Sequence, residues 1–346
     1  MQLRRQLENI KGITYKSDGK IMHNPDRGPV DLDAIPDIPW HLVDIEKKLS
    51  LTLDKSLSIQ TGRGCPFSCT YCSHKKTSIK KYRMFSADYV LNNIEPIVKK
   101  YNIKKINFFE PLFVNNQGRL KQICQGIIGR KLNISWGASA RVDTFSKLPE
   151  DLLRLLKDSG CKELTFGFES GSQKVLDRIE KRINIQQSLK SIFLCKMYSI
   201  APVSCFMAAF PFETLADTTK TLGLIAKLRK DIPEAIIHLQ SYTAYPGSVL
   251  YEECILAYGL QRIGTLEAWS KILKWKDNRP WVKGWKKYLY KILRGSVYAS
   301  SSRYLKARND LRFKISLHFL TVLFYNMVYF LFIINYFFQY KGEKEK

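Results

Sequence analysis

Leu57-Ser58-Ile59-Gln60-Thr61 alternates apolar and polar residues, and it runs through Gly62-Arg63-Gly64-Cys65-Pro66-Phe67-Ser68-Cys69-Thr70-Tyr71-Cys72 toward an amphipathic stretch from Ser86 to Tyr101. A period of two followed by a period near 3.6 reads as a strand leading into a helix. Val90, Ile94 and Ile97 mark the buried stripe of that helix, and Ser86 is its predicted N-cap. The unit then recurs. Lys105 to Phe109 precedes the helical run Asn116 to Arg130, and Ile134 to Ser139, Glu163 to Phe168, Val203 to Ala208 and Ala235 to Gln240 are each followed or separated by helical pattern. Leu152, Leu153, Leu155 and Leu156 form the apolar face of one such helix. Six strands interleaved with helices mean βαβ units and a parallel sheet. Gly62 and Gly64 are followed by Cys65-Pro66-Phe67 rather than by the rest of a G-x-G-x-x-G turn, so a dinucleotide fold has no support. The expected class is α/β, a partial (β/α)6 TIM-like barrel. Functional residues of such barrels gather at the C-terminal strand ends, where Glu110, Arg141, Glu169 and Gln240 lie.

Outward from this core the texture changes on both sides. Pro25, Pro29, Pro36 and Pro39 punctuate residues 1–50, which read as a linker or arm, with the barrel core over 51–256. From Arg262 to Lys314 fifteen Lys and Arg stand against three acids, with Trp269, Trp275, Trp281 and Trp285 among them, so 257–314 reads as a basic, aromatic, helical region. Ile315 to Phe338 then contains no Asp, Glu, Lys or Arg over 24 residues, long enough as a helix to span a bilayer core of about 30 Å. A membrane-spanning or membrane-anchoring helix is expected there. Positive charge before it would place the protein on the cytoplasmic face of the membrane, with lipids as partners. The alternative is a buried C-terminal helix.

The whole chain has 346 residues, 45% hydrophobic and 25% charged, which excludes general disorder. Its net charge of +25 calls for something anionic without choosing among nucleic acid, phospholipid and phosphorylated substrate. The basic start at Met1-Gln2-Leu3-Arg4-Arg5 is not followed by the apolar run of a secretory signal, which points to the cytosol. In that reducing setting the crowding of Cys65, Cys69 and Cys72 reads as metal ligation, whereas Cys124, Cys161, Cys195, Cys205 and Cys254 read as small core residues. Three thiolates on one loop can hold three irons of a [4Fe–4S] cluster and leave the fourth open. A closed zinc site with His74 as fourth ligand is the alternative.

The cysteine loop, with an aromatic residue just before its last Cys, resembles the cluster loop of the radical S-adenosylmethionine (SAM) enzymes, in the branch that usually carries a cobalamin-binding domain. Phe108-Phe109-Glu110-Pro111-Leu112-Phe113, Gly167-Phe168-Glu169-Ser170-Gly171-Ser172, Ala209-Phe210-Pro211-Phe212-Glu213-Thr214 and Tyr245-Pro246-Gly247-Ser248 resemble later motifs of that family in order. The resemblance covers about residues 10 to 256. It implies that Cys65, Cys69 and Cys72 bind the cluster, with SAM on the open iron. Tyr71 would lie beside the adenine, Glu110 would accept from the SAM amine, and Arg141 and Glu169 would meet the carboxylate or ribose. The bland reading of the same charges is paired ions at the barrel rim, with Arg141 neutralising one of the glutamates. His238 and Gln240 share a strand face, and His238 reads as a core histidine.

The family's chemistry is one-electron cleavage of SAM to a 5′-deoxyadenosyl radical that abstracts hydrogen, here from a hydrophobic substrate, for methylation or another C–C or C–O bond formation. An electron donor such as flavodoxin or ferredoxin is implied; the family's cobalamin domain is expected either as a separate subunit, through which alone this chain would use cobalamin, or as lost, or as missing from an incomplete gene product. Phe212 departs from the usual glycine, as do Ala208 and Ala209. Three other readings compete: a zinc-stabilised basic protein binding nucleic acid, a catalytically inactive barrel serving as a membrane partner, and an RNA-modifying methylthiotransferase. The last would want cysteines upstream, and residues 1–64 contain none. Nucleic acid is not an expected partner under the main reading. No H-E-x-x-H or G-x-S-x-G is present to suggest a hydrolase.

Overall fold

A computed structural model describes residues 7–52, 54–74, 82–274 and 279–299. Two compact units divide the chain, Met1–Pro36 and Asp37 onward. Within the first, strands β1 (Thr14–Ser17) and β2 (Lys20–His23) pair antiparallel. Asp18 and Gly19 turn the hairpin at φ 49° and 79°, the two left-handed positions that an Asp-Gly pair supplies. An arm without regular elements was expected here, because the strands' own residues show no apolar alternation.

In the second unit α1 (Ile45–Ser50) precedes β3 (Ser56–Gln60), and the chain then makes a two-residue ladder between β4 (Gly62–Arg63) and β5 (Arg83–Met84). There follow α2 (Ala87–Tyr101), β6 (Lys105–Phe109), α3 (Gln117–Gly129), β7 (Ser135–Ala140), α4 (Val142–Phe145) and α5 (Glu150–Asp158). Next come β8 (Cys161–Glu169), α6 (Gln173–Arg178), α7 (Ile185–Met197), β9 (Ala201–Ala208) and α8 (Leu215–Asp231). The sequence closes with β10 (Ile236–Ser241), α9 (Val249–Ala257), α10 (Leu266–Lys274) and α11 (Trp285–Ala299). Ser86 and Asn116 cap α2 and α3, accepting from Tyr89 N and Arg119 N at 3.1 and 2.9 Å.

Strands β3, β6, β7, β8, β9 and β10 form one parallel sheet in chain order, without a switch point. Right-handed crossovers between strands laid down in one direction put the helices on one face, and that is the winding of a barrel rather than of a doubly wound sheet. The fold is α/β with six parallel strands, a partial barrel. Its helix-covered face is apolar: Ile106, Phe108, Trp136, Leu164, Phe166, Phe168 and Phe206 are all buried. Phe108 stacks on Phe113 at 4.6 Å, and Trp136 meets both rings at 5.6 Å. The opposite face carries small and polar residues, among them Asn107, Ser139, Thr165 and Cys205, which stay half-buried.

Residues 37–50, expected within the arm, lie against the barrel through a side chain of α2. Asn93 is buried, receives Ile38 N at 2.7 Å, and donates to Asp37 Oδ1 at 2.9 Å, while its carbonyl receives Trp40 Nε1 at 3.0 Å. At the other end of the chain the basic region is partly core: Val282, Tyr290, Leu293 and Val297 are buried, and α11 packs along β10. The expected place on the cytoplasmic face of the membrane is corrected. Among the described residues no helix is long and apolar enough to cross a membrane, and Ile315 to Phe338 lies outside those residues.

One glycine shows how tightly the loop after β8 is held. A Cβ on Gly171 would lie 2.7 Å from the Lys220 carbonyl carbon and from Thr221 Cα, backbone atoms of α8 that cannot swing aside. Gly171→Ala is therefore expected to destabilise the fold by about 1–3 kcal/mol, read as a lower urea midpoint with unchanged slope.

Candidate functional site

The cysteine loop leaves β4 at Gly64, whose φ of 84° turns the chain away from the sheet. Cys69 is buried, Cys65 and Cys72 are half-buried, and all three are free thiols. Cys72 N donates to Cys69 O at 3.1 Å, and Thr70 joins the loop to the barrel through Ile179 O at 3.0 Å and Leu250 N at 2.9 Å. Burial pushes the Cys72 thiol up, and the neighbouring Cys69 and Cys65 add to the shift. Among the described residues, which include His74, no three His, Cys, Asp or Glu side chains converge tightly enough to hold a single metal ion. Three thiols on one short loop are the ligand number by which a [4Fe–4S] cluster is held with one iron left open.

Two aromatic residues of this loop are gripped from the strand ends. Tyr71 donates to Glu169 Oε1 at 2.8 Å, and Lys181 Nζ lies 2.6 Å from the same oxygen and 3.3 Å from the tyrosine hydroxyl. Burial pushes the Tyr71 hydroxyl well up, and the Glu169 charge adds to it. Glu169 ends β8 at φ 61°, after a register irregularity, and its carboxylate folds back over Gly167. A Cβ there would lie 2.8 Å from Lys181 Nζ, so the glycine makes room for the ion pair. Phe67 stacks under Arg141, whose guanidinium carbon is 3.5 Å from the ring centroid. Arg141 is held in turn by Asp143 at 2.9 and 3.1 Å and by Lys181 O at 2.8 Å, so it neutralises neither Glu110 nor Glu169.

Glu110 follows β6 and has a fully buried side chain. Arg119 reaches both its oxygens at 3.3 Å, Thr61 Oγ1 donates to Oε2 at 2.7 Å, and Tyr82 donates to Oε1. Four donors fill the acceptor capacity of a carboxylate. Gly62 lets this group lie against the backbone: a Cβ would come 2.6 Å from Glu110 Oε2. The structure thus joins Tyr71 to Glu169 and Phe67 to Arg141, and holds Glu110 in its own cage. Sequence reasoning missed Thr61, Tyr82, Arg119 and Lys181. Arg119 sits in the first turn of a helix and Lys181 in the charged run Glu180-Lys181-Arg182, both of which read as solvated charge.

At the end of β9, Ala209 takes φ 65° where glycine is favoured, and Phe212 stacks on Phe210 at 5.6 Å. The aromatic residue at 212 thus lies back on its neighbour, with Arg178 5.1 Å above its ring. Glu213 accepts from Phe210 N and Thr218 Oγ1, each at 3.1 Å. Part of this residue reaches solvent, yet its carboxyl is enclosed, and burial pushes it up to about 7. A raised acid favours the folded state when protonated, so its contribution is fully present below pH ~4.3 and lost as the pH rises through about 7. Glu213→Gln is expected to remove that decline from a urea-unfolding series between pH 4.5 and 7.5; an unaltered decline would assign it elsewhere.

Six parallel strands with a three-thiol loop at their C-terminal ends define a SAM-radical type of α/β enzyme. Residues 59–225 match the family model of the radical SAM superfamily, and the chain belongs to that superfamily. Membership implies a [4Fe–4S] cluster and SAM as cofactors. The chain is 32% identical over 252 residues to an uncharacterised methyltransferase of Pyrococcus horikoshii, covering 72% of this chain and 53% of the relative. It is 29% identical over 248 residues to an anaerobic magnesium-protoporphyrin IX monomethyl ester cyclase of Rubrivivax gelatinosus, covering 70% and 43%. The chain therefore spans about half the length of the curated relatives it matches. Among solved structures, the cobalamin-dependent SAM radical enzyme OxsB, with aqua-cobalamin and SAM bound, has the same fold. Its TM-score is 0.70 at 18% identity, over 95% of this chain and 53% of that one.

Proposed function

We propose that Cys65, Cys69 and Cys72 hold three irons of a [4Fe–4S] cluster and that SAM lies between this loop and the strand ends carrying Glu110, Arg141 and Glu169. The reading is carried by one observation: the loop with the three thiols is tied through Tyr71 to the Glu169–Lys181 pair at the end of β8. When bound, the cluster and SAM supply reductive cleavage to a 5′-deoxyadenosyl radical able to take hydrogen from carbon. The residues' own work is positioning and exclusion of water. Tyr71 and Phe67 provide two ring faces beside the loop, and Arg141 keeps a guanidinium over one of them. Glu110 meets the SAM amine only by exchanging a donor. Tyr82 is the one with an alternative, since its hydroxyl also lies 3.0 Å from Leu112 O.

The relatives named as a methyltransferase and as a cyclase support methyl transfer or another carbon–carbon or carbon–oxygen bond formation as the reaction class. The proposal includes an electron donor of the flavodoxin or ferredoxin kind. It also includes a cobalamin-carrying partner, because OxsB is described with aqua-cobalamin. The test is anaerobic loading with iron and sulfide, followed by dithionite and SAM. The expected result is about four irons per chain and steady formation of 5′-deoxyadenosine; zinc in place of iron overturns the reading.

A further inference from the structure

The half-buried face of the sheet continues past Glu169 to the edge strand. Register sets Gly167 of β8 beside Cys205 of β9, and Cys205 beside His238 of β10, so these three side-chain positions share one face. Gly167 opens toward Glu169 and Lys181, and Cys205 feels the charges of the same pair. His238, and Gln240 two residues on, therefore lie on the face that carries the Tyr71–Glu169–Lys181 cluster. Two strand spacings separate them from it, about 10 Å.

Helix α11 closes this side. A cavity of about 360 Å³ lies between it and β10, lined by His238, Leu239, Gln240, Arg294 and Gly295. That is the size of a small-molecule site. Gly295 leaves room at the helix surface: a Cβ there would meet no atom of the described residues within 4 Å. Among the described residues, no side-chain hydrogen bond or ion pair engages Arg294, His238 or Gln240. Arg294 and Gln240, both exposed, and the half-buried His238 thus bring a guanidinium, a carboxamide and an imidazole to the lining of one open cavity. Helix α11 carries Lys286, Lys287, Lys291 and Arg294 and no acid. The field at the cavity favours an anion, and a guanidinium fork matches carboxylate or phosphate oxygens.

We propose that the β10–α11 cavity is the anion-binding end of the substrate site, where Arg294 and His238 hold a carboxylate or phosphate of an organic substrate and Gln240 orients it. The rest of such a molecule would extend across the sheet face toward the cysteine loop. This rests on the function proposed above, and it adds the chemical class of the substrate.

The test uses the full chain and a direct binding readout. Hexyl phosphate, hexanoate and hexanol are titrated calorimetrically without SAM. Both anions, or one of them, are expected to bind at least tenfold more tightly than hexanol, and the preferred anion identifies phosphate or carboxylate as the group recognised. Arg294→Gln is expected to weaken anion binding at least tenfold, and Lys291→Gln, which removes the same charge from the same helix outside the cavity, less than twofold. Circular dichroism establishes that each variant is folded; if Arg294→Gln is not, His238→Gln takes its place with the same expectation. Equal binding of hexanol, or equal losses from the 291 and 294 variants, overturns the proposal. Cysteine-dependent 5′-deoxyadenosine formation is measured separately on the unsubstituted chain. Its failure overturns the functional reading, whereas anion binding insensitive to residue 294 overturns only the cavity assignment.

Discussion

A chain carrying Cys65→Ala, Cys69→Ala and Cys72→Ala together is expected to load no iron–sulfur cluster and to form no 5′-deoxyadenosine above a protein-free blank. The loss should be complete because no other thiol can take over. Cys124, Cys161, Cys195 and Cys254 are buried, and Cys205, half-buried on the sheet face, is a single thiol that burial pushes up to about 11. Burial pushes Cys124 and Cys254 up to about 12, and Cys161 and Cys195 upward as well, far from the thiolate form that binds iron. Cys124→Ala is the control: it should lose some stability through a small cavity and retain both cluster and product. Visible absorbance of the reconstituted protein and product quantification separate the two variants. If the triple variant kept the cluster, the loop would not be its site.

The second large effect is on the fold. Arg119→Leu is expected to destabilise the protein by about 3–5 kcal/mol, because it leaves the Glu110 carboxylate buried without its counter-charge. The arginine side chain is 5% exposed and the glutamate 0%. Arg119 also donates to Phe85 O at 2.6 Å and Thr61 O at 2.9 Å, so its removal costs both bonds and leaves Thr61 O with Phe85 N as its donor, at 3.1 Å. The urea midpoint should fall sharply. Adding Glu110→Gln should restore part of the loss, since the carboxamide needs no counter-charge, and the cycle then isolates the pair from the two carbonyl bonds. A midpoint unmoved by Arg119→Leu would mean that the cage is not holding the first strand end.

The strands and helices that build the barrel were legible because each writes its own period. Lys105 to Phe109 was read with its bounds as observed, and Ser86 and Asn116 begin their helices as caps. The parallel order followed from alternation, and the absent Gly-rich turn turned the choice toward a barrel. The cysteine loop was legible for the same reason: its chemistry lies in local spacing. What was not legible depends on partners far apart in sequence. Arg119 and Glu110 are nine residues apart across a loop and a cap, and Lys181 meets Tyr71 across 110 residues. Local pattern cannot distinguish such buried charges from solvated ones. Residues 37–50 looked like an arm because Asn93, the residue that fastens them, lies on another element. The basic region was read from its charges as helical and aromatic, and its buried stripe of Tyr290, Leu293 and Val297 is spaced through those charges.

Strand order in the sheet equals strand order in the chain. Each strand from β6 onward pairs with one already made, so the barrel can be assembled as it leaves the ribosome, unit upon unit, without waiting for a distant segment. That convenience has an end point. Until residues 285–299 emerge, β10 offers an uncovered edge to any neighbouring nascent chain, the kind of edge that recruits foreign strands. The helix that bounds the cavity is thus also the piece that packs along the last strand of the growing sheet.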